Sequence, residues 1–133
     1  VYPDRMAVAL MQPWLNGTTV SLNKANMVTK FQKGTTDSYS DTRYKTVNIY
    51  SFSLLSWKAI VKRLNQHINE GSVNSYYEAV FAELTDNKSL AFESVSFDHK
   101  PWYEIDTIKD LAKAKLLFPR ELKTFAKLEF AMA

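Results

Sequence analysis

The stretch from Arg43 to Gly71 constrains this chain more than any other. Arg43 to Phe52 reads Arg-Tyr-Lys-Thr-Val-Asn-Ile-Tyr-Ser-Phe, rich in the β-branched and aromatic side chains that suit a pleated, half-buried surface. Ser53 follows, a residue type whose hydroxyl accepts from the orphan N–H groups of a helix start. Beyond it Trp57, Ile60, Val61, Leu64 and Ile68 recur at helical spacing on one face, and Gly71 supplies the stop. Strands alternating with amphipathic helices specify an α/β protein, a mixed sheet flanked by helices.

The rest of the chain fits that class. Met6, Ala7, Leu10 and Met11 fall on helical spacing after Asp4, which predicts a capped helix over Asp4 to Gln12. Pro13-Trp14-Leu15-Asn16-Gly17 breaks it. Thr18 to Leu22 and Met27 to Phe31, separated by Asn23-Lys24-Ala25-Asn26, predict a β-hairpin. Residues 32–42 are polar and turn-rich and read as a mobile loop. Asn74 is placed to cap a second helix that turns Tyr77, Val80, Phe81 and Leu84 inward, and Leu90 to Phe97 reads as a strand whose irregular alternation suggests a bulge. A helix over Ile108 to Leu117 and a helical tail after Pro119 complete the chain, with no internal repeat.

Composition narrows the function classes. At 133 residues the chain is one domain or part of one, and 46% hydrophobic content is ample for a packed core. A net charge of +3 allows a phosphate-bearing partner without demanding one, and the basic residues alternate with acids, which disfavours nucleic acid. Without cysteine there are no disulfides or thiolate metal sites, and with only His67 and His99 a histidine-rich zinc site is disfavoured. His67, beside an apolar helix face, reads as a packed or edge side chain and not a ligand, because no second ligand is nearby. No apolar run reaches membrane-spanning length and no signal peptide is visible, so the cytoplasm is the expected location. The opening Val1-Tyr2-Pro3-Asp4 reads as a cut into a larger domain.

The acids of Trp102-Tyr103-Glu104-Ile105-Asp106-Thr107-Ile108-Lys109-Asp110-Leu111 pose a specific question. Read as a strand that ends where a helix begins, the run puts Asp106 at the kind of junction where ligands collect in open α/β sheets, with Glu104 on the same strand face. Two carboxylates there suit a hard divalent cation. Thr107 and Asp110 also have the spacing of a capping box, and on local grounds a capping role for Asp106 or Thr107 outweighs metal binding.

Four segments carry a resemblance: Trp14-Leu15-Asn16-Gly17-Thr18, Tyr44-Lys45-Thr46-Val47-Asn48-Ile49-Tyr50-Ser51-Phe52, Asn74-Ser75-Tyr76-Tyr77-Glu78, and Trp102 to Leu111. In this order they resemble the nucleotidyltransferases of the bacterial phosphocholine cytidylyltransferase type, across nearly all of residues 13–118. The resemblance implies the C-terminal portion of a Rossmann-like nucleotidyltransferase domain over residues 1–118, followed by a helical tail over 119–133. It implies that a phosphate or phosphonate oxygen attacks the α-phosphorus of a nucleoside triphosphate, CTP by family, and releases pyrophosphate. By position Asp106 is the magnesium ligand and Lys45 the phosphate clamp. Trp14, Tyr76 and Glu104 form the site for a quaternary ammonium group such as that of phosphocholine.

Two departures qualify these expectations. Ser75 stands where the family usually has an acid beside the cation, which leaves an aminoethylphosphonate acceptor open. The Gly-rich phosphate loop that opens the family's domain does not occur, and Gly17, Gly34 and Gly71 are the only glycines. The chain is therefore expected to be inactive by itself. A sugar-1-phosphate nucleotidyltransferase and a non-catalytic module that keeps only the acceptor pocket are the alternatives.

Overall fold

β4 (Tyr44–Ser51) is the middle strand of a five-stranded sheet in a computed structural model that describes residues 3–33 and 42–118. The other strands are β1 (Asp4–Leu10), β2 (Thr18–Leu22), β3 (Val28–Lys33) and β5 (Phe92–Ser96), in the order β3-β2-β4-β1-β5. β3, β2, β4 and β1 are joined by antiparallel ladders, whereas β5 lies parallel to β1. Between β4 and β5 run two helices, α1 (Leu54–Asn69) and α2 (Glu78–Asp86). The sheet is therefore mixed and the class is α/β. Its two outer strands approach each other at the hairpin turn, where Met27 bridges Glu93 and Ser94 N–H donates to the Asn26 carbonyl at 2.9 Å.

The chain divides into two compact units, Val1–Asp98 and His99–Ala133. The sheet, α1 and α2 belong to the first, and α3 (Ile108–Leu117) belongs to the second. The core of the first unit gathers Met6 and Val8 of β1, Val20 of β2, Ile60 of α1, Phe81 of α2 and Phe92 of β5. The expected loop over 32–42 falls mostly, and the tail over 119–133 wholly, outside the described residues.

The first segment corrects the sequence reading. Asp4 to Leu10 is a strand and not a helix, because β1 lies between β4 and β5 and buries Met6, Ala7, Val8 and Ala9 on both faces. A strand buried on both faces shows a continuous apolar run, which periodicity does not separate from a helix. Asp4 nevertheless caps a helix, a remote one. Its carboxylate accepts from Ser53 N–H at 2.7 Å and from the Ser56 hydroxyl at 2.5 Å, at the start of α1.

α1 starts and stops where the sequence places it. The Ser53 hydroxyl accepts from Ser56 N–H, and at the other end Gly71 N–H donates to Ile68 and Ser72 N–H to His67. That pair of bonds is a Schellman closure, which needs the left-handed φ of +80° that Gly71 adopts. Its apolar face is less buried than expected: Ile60 is buried and Leu64 packs on the core, while Trp57 and Ile68 stay exposed. α2 begins at Glu78, with Tyr77 in the capping position, so Asn74 lies in a turn ahead of it. Val80, Phe81 and Leu84 face inward as the spacing predicts, whereas Tyr77, in the capping position, stays partly exposed.

Two further expectations fail. β5 pairs with β1 in unbroken register, and the irregularity lies in β4 instead, where the pairing steps from Met6–Tyr50 to Val8–Thr46. Residues 101–105 form no regular strand, so Asp106 does not close a sheet strand.

Candidate functional site

Three of the four motif segments belong to the first unit, and tertiary structure joins them. Lys45 lies on β4 with Ala9 of β1 and Thr19 of β2 as its neighbours across the sheet. Only 2% of Lys45 is exposed, and its Nζ donates to the Thr46 carbonyl at 3.0 Å. Gly17 closes over the same ammonium: a Cβ at Gly17 would stand 3.3 Å from Lys45 Nζ. Gly17 also has a φ of +105°, a backbone conformation that selects glycine there. The Trp14 to Thr18 segment and the Tyr44 to Phe52 strand thus meet at the lysine.

The Asn74 to Glu78 segment meets the same strand further along. Asn48 sits at the β4 irregularity with a left-handed φ of 60°, a conformation Asn tolerates better than most residues. A bulge re-aims side chains, and here it turns the Asn48 amide toward α2. Its Oδ1 accepts from Tyr77 Oη at 3.2 Å and Tyr50 Oη at 3.3 Å, and the two tyrosine hydroxyls are 3.4 Å apart. Burial, followed by the Tyr77 hydrogen bond and the nearby Glu78 charge, pushes the Tyr50 phenol well above its ordinary range, so it stays a neutral donor. Glu78 itself is buried in the first turn of α2, where the helix dipole favours negative charge. Along β4 the buried Lys45 ammonium is thus followed by an Asn48 amide that two tyrosine hydroxyls engage, with Glu78 buried at the start of α2.

The aromatic candidates are presented to solvent. Trp14 is 72% exposed in the link between β1 and β2, and Tyr76 is 68% exposed immediately ahead of α2. Among the described residues Tyr76 already holds a cation, with Lys33 Nζ 4.6 Å from its ring centroid. That distance is within the range of cation–π attraction.

Glu104 and Asp106 belong to the second unit and are exposed. The capping question resolves in favour of Thr107. Its hydroxyl accepts from Asp110 N–H at 3.2 Å, and Asp110 Oδ2 accepts from Thr107 N–H at 2.9 Å. The Thr107 hydroxyl bond, reinforced by backbone N–H groups, holds the Asp110 carboxyl below its usual range. Asp106 does not perform the capping that competes with metal binding. Among the described residues no group of three or more His, Asp or Glu is arranged to hold a metal ion. A magnesium ion commonly takes one or two carboxylates and fills the rest of its shell with water and phosphate oxygens. Asp106 supplies one such carboxylate, which fits a share of that shell.

Another polar cluster lies between α1 and α2. Glu83 accepts from Arg63 Nε at 2.6 Å and lies 2.8 Å from His67 Nε2. His67 is thus a packed side chain beside a carboxylate. The Arg63 hydrogen bond, with help from His67, lowers the Glu83 carboxyl.

The sequence alone did not single out Asn48, Tyr50, Tyr77 or Glu78. The one available signal was an Asn inside an otherwise β-branched and aromatic run. No helix among the described residues is long and apolar enough to cross a membrane. Comparison with protein-family models, curated proteins and solved structures found no match to this chain.

Proposed function

We propose that the chain carries the acceptor side of a nucleotidyltransferase that moves a nucleoside monophosphate, CMP from CTP, onto phosphocholine or a similar small phosphorylated amine. The observation that carries this reading is the convergence of three separate segments on β4. Gly17 closes on Lys45, and Tyr77 bonds Asn48, so residues 14–18 and 74–78 each contact β4. In the reaction an acceptor phosphate oxygen bonds to the α-phosphorus, the bond to the β-phosphate oxygen breaks, and pyrophosphate leaves with the electron pair. Little covalent work falls to the protein, so positioning and charge neutralisation carry the rate.

Within this reading Trp14 and Tyr76 of the first unit offer ring faces to the amine. Lys45 holds the phosphate. Since its ammonium is covered by Gly17, the 14–17 segment must lift for Lys45 to reach an anion. A magnesium ion would neutralise phosphate charge, and within the second unit Asp106 is the carboxylate that could ligate one. These 133 residues contain no Gly-rich phosphate loop, so binding of the acceptor without turnover is expected of them.

Calorimetric titration with phosphocholine tests this. Saturable binding that weakens about ten-fold or more in Trp14→Ala and in Tyr76→Ala is expected, given one to two kcal/mol per desolvated aromatic contact. Binding untouched by both substitutions overturns the site. Pyrophosphate release from CTP by this polypeptide overturns the expectation of no turnover.

Ser75 and the Lys33 contact favour a second acceptor. A primary ammonium already rests on Tyr76, and no acid stands at position 75 to complete a cage for a larger cation. Tighter binding of aminoethylphosphonate than of phosphocholine selects that acceptor.

A further inference from the structure

The last residue of β3 occupies the place a ligand cation is expected to take. β3 is an edge strand, α2 packs against it, and Tyr76 stands just before α2 begins. The end of β3 and the approach to α2 therefore meet at one edge of the sheet, and Lys33 lays its Nζ over the Tyr76 ring at 4.6 Å. Tyr76 is exposed and its ring is not committed to the aromatic cluster that Tyr77, Phe81 and Phe92 form. Lys33 is exposed too.

We propose that Lys33 is a tethered competitor at the Tyr76 cation subsite. Its ammonium covers the ring face in the ligand-free protein and has to swing aside before an amine-bearing acceptor binds. This rests on the reading that Tyr76 belongs to an acceptor site. The competition is weak by design of the contact: an exposed cation–π pair changes an equilibrium by a factor of about two to five. An effect of that size tunes affinity for the amine without blocking the site. It also discriminates among acceptors, since a cation that engages the ring more strongly than a primary ammonium displaces Lys33 more easily.

Titration with tetramethylammonium, a cation without a phosphate that Lys33 could attract, tests the proposal. Four variants are compared with the unaltered chain: Lys33→Gln, Lys33→Arg, Tyr76→Ala, and Tyr76→Ala combined with Lys33→Gln. Lys33→Gln is expected to bind about two- to five-fold more tightly, Lys33→Arg to stay near the starting affinity, and Tyr76→Ala combined with Lys33→Gln to lose the gain. Equal affinity for the unaltered chain and Lys33→Gln, with binding still dependent on Tyr76, overturns the competitor and leaves the acceptor site standing. Weaker binding by Lys33→Gln overturns it as well, since Lys33 then supports the ligand. No saturable binding even by Lys33→Gln overturns the acceptor site itself.

Discussion

The segment around Lys45 and the segment around Asp106 both carry acidic or basic candidates, yet they are built in opposite ways. Lys45 is flanked on both sides by hydrogen-bonded strands, covered by Gly17, and followed three residues later by a bulge that links β4 to α2. Asp106 precedes a helix whose start is organised by Thr107 and Asp110, three residues apart in sequence. One position is set by the tertiary fold and the other by local chemistry. A side chain of the first kind is rigid before any ligand arrives, whereas one of the second kind keeps the freedom of an exposed loop.

Substitution separates the two most sharply. Lys45→Ala removes a buried aliphatic stem along with its charge and is expected to cost about 2–4 kcal/mol in urea unfolding. Asp106→Ala is expected to stay within about 0.5 kcal/mol of the parent, because it deletes an exposed side chain outside the cap. A comparable loss in both would erase the distinction. Asn48 sharpens it further. Asn48→Val forces a β-branched residue into the left-handed region and cuts the link to Tyr77, for about 1–3 kcal/mol. Asn48→Gly keeps the conformation and loses only the amide, so its cost is expected to be smaller. The reverse order would mean that the backbone at this bulge is not what the side chain serves.

The smallest effect is in the pH dependence of the α1–α2 contact. Arg63 lowers the folded-state pKa of Glu83 below its ordinary 4.5, so the pair stabilises the fold fully above that value. The contribution is lost as pH falls through the lowered folded value. Because both side chains are about a third exposed or more, solvent screening limits it to a few tenths of a kcal/mol. Glu83→Gln is expected to flatten the stability profile below pH 4.5 by that amount.

Local signals made much of the fold legible. Ser53 and Gly71 marked both ends of α1, the Asn23 to Asn26 turn marked the hairpin, and Thr107 with Asp110 marked α3. β1 was not legible, because Met6 to Ala9 is buried on both faces and its composition suits a helix equally well. Asn74 looked like a cap by residue type, but the chain turns again before α2 begins. The candidate site divides in the same manner. Lys45, Trp14 and Tyr76 could be named from their segments, whereas the cover of Gly17 over Lys45 and the Asn48–Tyr77 bond join residues distant in sequence. No local pattern encodes such a pairing. Asp4 illustrates the point well: its capping chemistry was readable, but the helix it caps starts at residue 54.

The most direct measurement is an amide NMR titration of the chain with phosphocholine, following Gly17, Lys45, Asn48 and Tyr77 together. If the three segments form one acceptor surface, all four amides shift along a single binding curve, and Asn48→Gly uncouples Tyr77 from the other two segments. Shifts confined to one segment, or none at saturating ligand, would contradict a common site on β4.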